Sequence, residues 1–308
     1  MLSHARINVF RIDGHFWRMA LLCFACVLSG SNLFAQGPPF QVDDPVPVDF
    51  KHYEFYIFGA TDGTPAEMDY AGPAFEFNWG AVPRVQIHAV LPWGGIRPLN
   101  NQIYAPTGIG PSETGRIDME FGVKLAIIKE TKKIPQIGTF TMLELPTGNS
   151  DKGLGVGKAW YKLPVWLQKN SGKWLFDGGA GETVVPQTDY HNFPYGGFLV
   201  KREVNKKLDM AVEVFSHGGE GVAAPQTHAS TMIDAGGYWH LKGEEFMQLL
   251  FAYGHSVAGE TENYAYLGLY WTWGKDKNKP GGDKDSDEKK TSLLRDAMFS
   301  RHALKNGF

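Results

Sequence analysis

With 308 residues, 43% of them hydrophobic, the chain is long enough for one large all-β domain and apolar enough to bury a core. A formal net charge of -3 provides no overall basic field, which argues against nucleic acid as a partner. Both cysteines, Cys23 and Cys26, lie near the start, so a disulfide framework or thiol site in the rest of the chain is excluded as well.

Arg6, Arg11 and Arg18 precede the apolar run MALLCFACVLSG, which gives way to small and polar residues and then NLFAQG. That order predicts a secretory signal peptide over residues 1–35, cleaved after Ala35. The run is shorter than the roughly 20 residues a spanning helix needs. Acylation of Cys26 is a weaker alternative, because Cys23 stands where such signals carry leucine. The next stretch, QGPPFQVDDPVPVDF, has prolines that exclude a central strand and acids that favour water, so residues 36–49 read as an extended periplasmic leader.

From residue 50 the pattern alternates with period two. In GRIDMEFGVKLAIIKE, Ile117, Met119, Phe121, Val123, Leu125 and Ile127 share one face, and Asp118, Glu120, Gly122 and Lys124 the other. About twelve strands follow: 50–60, 68–79, 84–93, 115–129, 134–145, 157–169, 173–184, 195–204, 207–217, 229–241, 245–256 and 263–273. Long connections, such as TDGTPAE, PTGNSDKGLGV and VAGETE, take turns with short ones, such as GAVP, NSG and NK. No later run is apolar enough for a spanning helix, so any membrane insertion uses strands. Strand lengths and alternating loops together predict an all-β, antiparallel transmembrane β-barrel of the outer-membrane type over 50–274. A soluble β-sandwich with one buried face is the competing fold, since alternation is common to both.

In a barrel, the apolar face, including Leu163, Val165, Val212, Val214, Leu267 and Leu269, turns to lipid. The aromatic-rich ENYAYLGLYWTWGK then divides, with Trp271 and Trp273 in an interfacial girdle and Tyr266 and Tyr270 toward the lumen. Glu54, Glu76, Arg84, His88, Asp118, Glu120, Lys124, Glu144, Lys162, Asp209, Glu213 and Asp234 are the charged or titratable candidates for lining that lumen. Such a lining sets selectivity. No ligand spacing points to a metal or other cofactor. Ser216-His217 and His255-Ser256 raise a barrel lipase as a lesser alternative, but neighbours on a strand point to opposite faces and there is no Gly-x-Ser-x-Gly elbow. GLGVGK lacks the earlier glycine and the Ser or Thr of a phosphate loop.

YLGLYWTW carries glycine and two tryptophans at the spacing of a terminal-strand signal for the barrel-assembly machinery. Residues 275–308 follow it, beginning with the charge-dense KDKNKPGGDKDSDEKK, and predict a disordered tail with a short helix near 291–304. PPFQVDDPVPVDF, ELPTGNSDKGLGVGKAWYKLPVWLQK, GETVVPQT, FSHGGEG and the final aromatic stretch resemble an outer-membrane family assigned to the MetA pathway of phenol degradation, usually labelled transporters. The resemblance covers most of the chain after the signal, except the tail. It implies a barrel in the cell outer membrane that passes small, aromatic or hydrophobic molecules. Its partners would be membrane lipid, the assembly machinery and a small solute. The rival reading is a non-transporting structural or surface barrel, its lumen filled by side chains and its function in the loops.

Overall fold

The computed structural model describes residues 38–99, 112–186, 191–219, 229–241 and 247–274. The expected signal peptide, the charged tail and the helix near 291–304 lie outside the described residues.

Among the described residues thirteen strands form one antiparallel sheet: β1 (His52–Gly63), β2 (Glu67–Val82), β3 (Val85–Pro98), β4 (Glu113–Arg116), β5 (Met119–Ile128), β6 (Gln136–Leu145), β7 (Trp160–Ser171), β8 (Trp174–Val184), β9 (Phe193–Asn205), β10 (Leu208–His217), β11 (Ser230–His240), β12 (Met247–Gly259) and β13 (Asn263–Gly274). β13 pairs with β1 along its length, which closes the sheet into a barrel. β4 and β5 lie end to end along β3, so they are two halves of one stave and the barrel has twelve. The even number returns the chain to the rim where it entered, with His52 opposite Gly274.

Period-two alternation becomes two surfaces. Phe121, Val123 and Leu125 are exposed on the outside, while Gly122, Lys124 and Ala126 are buried inside. Outward aromatics gather near the rim that holds both barrel termini. Tyr53 stacks between Trp79 and Trp273, with ring centroids 6.5 and 5.6 Å away. An apolar outer wall ending in aromatic rings is matched to a bilayer and its interface. The crowded rings of β13 divide by parity, Trp271 and Trp273 outward and Tyr266 and Tyr270 into the core.

Three sequence-based expectations need correction. The strand expected to run unbroken over 115–129 is interrupted at Ile117 and Asp118. There it faces Pro92, which has no N–H to give the ladder, and Asp118 turns to bind a loop instead. Two connections expected to be long are tight turns. β1 joins β2 through residues 64–66, where Thr64 Oγ1 accepts the Ala66 N–H at 3.2 Å, and β12 joins β13 through 260–262. The strands there run further than the alternation of side chains suggests. The third correction is the leader: over its described part, 38–49, it lies inside the barrel rather than in water, with Val42 and Asp44 buried.

Candidate functional site

The barrel interior is the candidate site, and the N-terminal segment fills it. Phe40 and Val42 join a core cluster with Tyr56, Phe140, Trp166, Tyr195, Tyr238 and Tyr266 from the wall. The wall is built to admit this segment. A Cβ on Gly197 would come within 2.6 Å of Val42 Cγ2, and one on Gly138 within 2.9 Å of Pro45. Larger residues at these inward positions would evict the segment.

Polar contacts fix its register from one rim to the other. Tyr264 donates its hydroxyl to Pro39 O at 3.1 Å, beside the 260–262 turn. Gln41 and Val42 donate their backbone N–H groups to the two carboxylate oxygens of Glu213, at 3.1 and 2.6 Å. Lys124 Nζ reaches Asp43 and Asp44, both at 2.9 Å, and lies 4.6 Å from the Phe140 ring centroid. Val48 donates to Gln86 Oε1 at 2.9 Å, and Gln136 donates to Pro45 O at 3.2 Å near the short-turn rim. A cavity of about 20 Å³ beside Asp43, Glu54, Glu76 and Lys124 is the size of a water molecule's space, far below that of a solute.

Most of the sequence-proposed lining residues meet in this interior. Glu54 accepts from Tyr270 at 2.9 Å and from Asn78 at 3.2 Å, and Tyr270 packs on Tyr56 with centroids 4.7 Å apart. Asn78 also donates to Glu76 at 2.9 Å. The two ring nitrogens of His88 face Asn78 Oδ1 at 2.7 Å and Glu120 Oε1 at 3.0 Å. Glu120 lies 3.9 Å from Lys162 and opposite Glu144 in the ladder. Asp209 lies 3.4 Å from His240 near the short-turn rim. Glu213 and Asp234 face one another across β10 and β11, both 0% exposed. Tyr266 stacks on Phe58 at 5.1 Å.

Two proposed residues stand apart. Arg84 occupies the exposed β2–β3 turn and donates to Ile127 O, because its left-handed φ of 73° carries it out of the sheet. Asp118 sits at the break between β4 and β5, where its oxygens accept the N–H groups of Gly148 at 2.7 Å and Val156 at 3.0 Å. It pins the glycine-rich loop to the wall. The sequence reading missed the occupants themselves, Phe40, Val42, Asp43 and Asp44, and also Lys201, which is buried 4.7 Å from the Tyr238 ring centroid. Lys201 has the inward parity of Leu199, and the inward glycines of β6 and β9 are the signal that something else occupies the space.

The Ser-His pairs have other partners. Ser216 Oγ meets Thr231 Oγ1 at 2.9 Å, and the ring nitrogens of His217 meet Gly218 O at 2.8 Å and Glu262 at 3.1 Å. Burial alone would raise the Glu262 carboxyl, but hydrogen bonds from His217 and Ser230 hold it below its ordinary value. A lowered folded-state value contributes stability above the ordinary carboxylate range that is lost as pH falls through it. Acidification is therefore expected to open the 260–262 turn before the staves. Amide exchange, corrected for intrinsic rate, checks this, and a turn as protected at about pH 3 as at neutrality would contradict it.

A solved structure shares this architecture. An outer membrane channel from Pseudomonas putida superposes with a TM-score of 0.63 at 14% identity, over 75% of this chain and 98% of that one. The translocator domain of the autotransporter NalP from Neisseria meningitidis reaches 0.47 at 8% identity, over 83% and 95% of the two chains. A FadL homologue from Pseudomonas aeruginosa reaches 0.40 at 10%, over 80% and 99%. The match to the Pseudomonas putida channel, at 14% identity, is a likeness of fold alone. No family model matches the sequence, and no curated protein matches it. The closed twelve-stave barrel with its apolar, aromatic-edged outer wall belongs in the cell outer membrane.

Proposed function

We propose that the chain is a passive outer-membrane channel for small apolar or aromatic molecules, and that residues 38–49 occlude it until they shift. The observation that carries this is the lumen itself, in which inward rings from β1, β6, β9 and β13 surround a segment held only by non-covalent contacts. A ring-bearing solute could replace Phe40 and Val42 against the same wall. Tyr195 Oη, Tyr266 Oη and Trp166 Nε1 are buried without a hydrogen-bond partner among the described residues, and a solute hydroxyl could engage them. The resemblance of the sequence to phenol-degradation transporters supports the same solute class.

The filled lumen also favours a second reading, a barrel that transports nothing and serves as a structural or surface element. Both require a folded membrane barrel, so the detergent-solubilised protein is expected to migrate differently on a gel before and after boiling, because closure slows unfolding. The discriminating measurement is uptake of a labelled monocyclic aromatic by cells with an intact lipopolysaccharide layer, with and without the protein. Faster uptake of the aromatic but not of a sugar of similar size is expected. Equal uptake by both cell types, with the heat-dependent gel shift present, would favour the non-transporting barrel.

A further inference from the structure

The two rims differ in charge. Among the described residues of the short-turn rim, nine lysines and arginines are exposed against a single exposed acid, Asp49. At the long-loop rim the described exposed charges nearly balance, five acids against four cations. The excess is densest along one arc. Trp174 on β8 faces Arg202 on β9 across the ladder, and the guanidinium lies 4.8 Å from the indole centroid. Lys173 precedes Trp174 in the β7–β8 turn, with its ammonium 3.6 Å from Glu203 and its side chain largely in solvent. Lys206 and Lys207 form the next turn, and Leu208 beside them pairs with the outward Trp239.

Along the barrel axis the arc therefore runs from an apolar outer wall to exposed indoles, with Arg202 level with Trp174, and then to the turn lysines. A phospholipid presents the complementary order of acyl chain, glycerol backbone and phosphate. Free phosphate or a soluble polyanion would gain nothing from the wall and the indoles. Arg202 offers a planar fork for two phosphate oxygens, already oriented by the indole beneath it, and the lysines add point charges around it. We propose that Lys173, Trp174, Arg202, Lys206 and Lys207 bind the headgroup of an anionic phospholipid in the leaflet at the short-turn rim. The site rests on the barrel being membrane-inserted, as in the function proposed above, but not on what passes through it.

The test is native mass spectrometry of the purified full chain in detergent with equal amounts of phosphatidylglycerol and phosphatidylcholine. Several-fold preferential retention of phosphatidylglycerol is expected, falling toward parity between about 0.05 and 0.5 M salt as the charges are screened. Arg202→Gln combined with Lys173→Gln should abolish the preference while the heat-dependent gel shift persists, and Arg202→Lys should keep part of it. Parity in the unaltered protein, or a preference indifferent to salt or retained by the double variant, would overturn the site. Displacement of the lipid by millimolar inorganic phosphate would overturn the lipid assignment in favour of a phosphate site. Absence of the gel shift in the unaltered protein would instead overturn the membrane barrel.

Discussion

Deleting residues 38–49 is expected to turn an occluded barrel into an open pore, raising conductance in planar bilayers at least about tenfold over the full chain. Twelve staves enclose more space than their own inward side chains fill when several of those are glycine, and here the N-terminal segment takes up the difference. The remaining inner wall bears Glu54, Glu120, Lys124 and Lys201, which water would solvate readily. A point change tests the same element more gently. Lys124→Ala leaves Asp43 and Asp44 without their ammonium partner, and breaking a buried ion pair from one side costs about 3–5 kcal/mol. Removing the fully buried Glu213 carboxylate as Ala would free two backbone N–H groups of the segment. Both variants are expected to flicker open, and Lys124→Arg to stay closed. A deletion variant that shows the heat-dependent gel shift yet conducts no better than the full chain would mean that the wall closes the lumen by itself.

Arginine at Phe121 or Leu269 is expected to cripple assembly. Both side chains point outward near the middle of their staves, 39% and 38% exposed, where they would face lipid. An arginine facing the bilayer midplane costs about 2 to 4 kcal/mol. The control is Lys162→Arg, an inward and partly hydrated cation whose neighbour Glu120 remains in reach. Inward glycines make poor controls, because a Cβ on Gly122 would lie 2.6 Å from Phe140 and one on Gly268 2.9 Å from Phe58. Membrane-inserted protein is the quantity to compare. Equal insertion of the outward variants and the control would mean that the outer wall does not face lipid.

Alternation in the sequence was sufficient to place each stave within a few residues and to sort Phe121 from Lys124, or Trp271 from Tyr270, onto opposite faces. A β-strand enforces that separation locally, because successive side chains leave opposite sides of the backbone whatever the strand pairs with. Which acids meet which bases is not a local property. His88 finds Asn78 on one neighbour and Glu120 on another because the register of three staves sets it opposite Asn78 and diagonal to Glu120, which is one inward position along from the facing Gly122. Arg84 shows the reverse, since its charge suggests a lining residue while the turn it occupies directs it outside.

The segment PPFQVDDPVPVDF marks the division most clearly. Its prolines and aspartates are signs of exposed, extended backbone, and by themselves they determine that it joins no sheet. Only the closed barrel decides that this extended backbone is buried. There the wall provides Glu213, Lys124, Gln86 and Gln136 for the polar groups that water would otherwise satisfy. Those partners come from four different staves, between 38 and 171 residues away, and a sequence read through local periodicity carries no record of contacts at that separation.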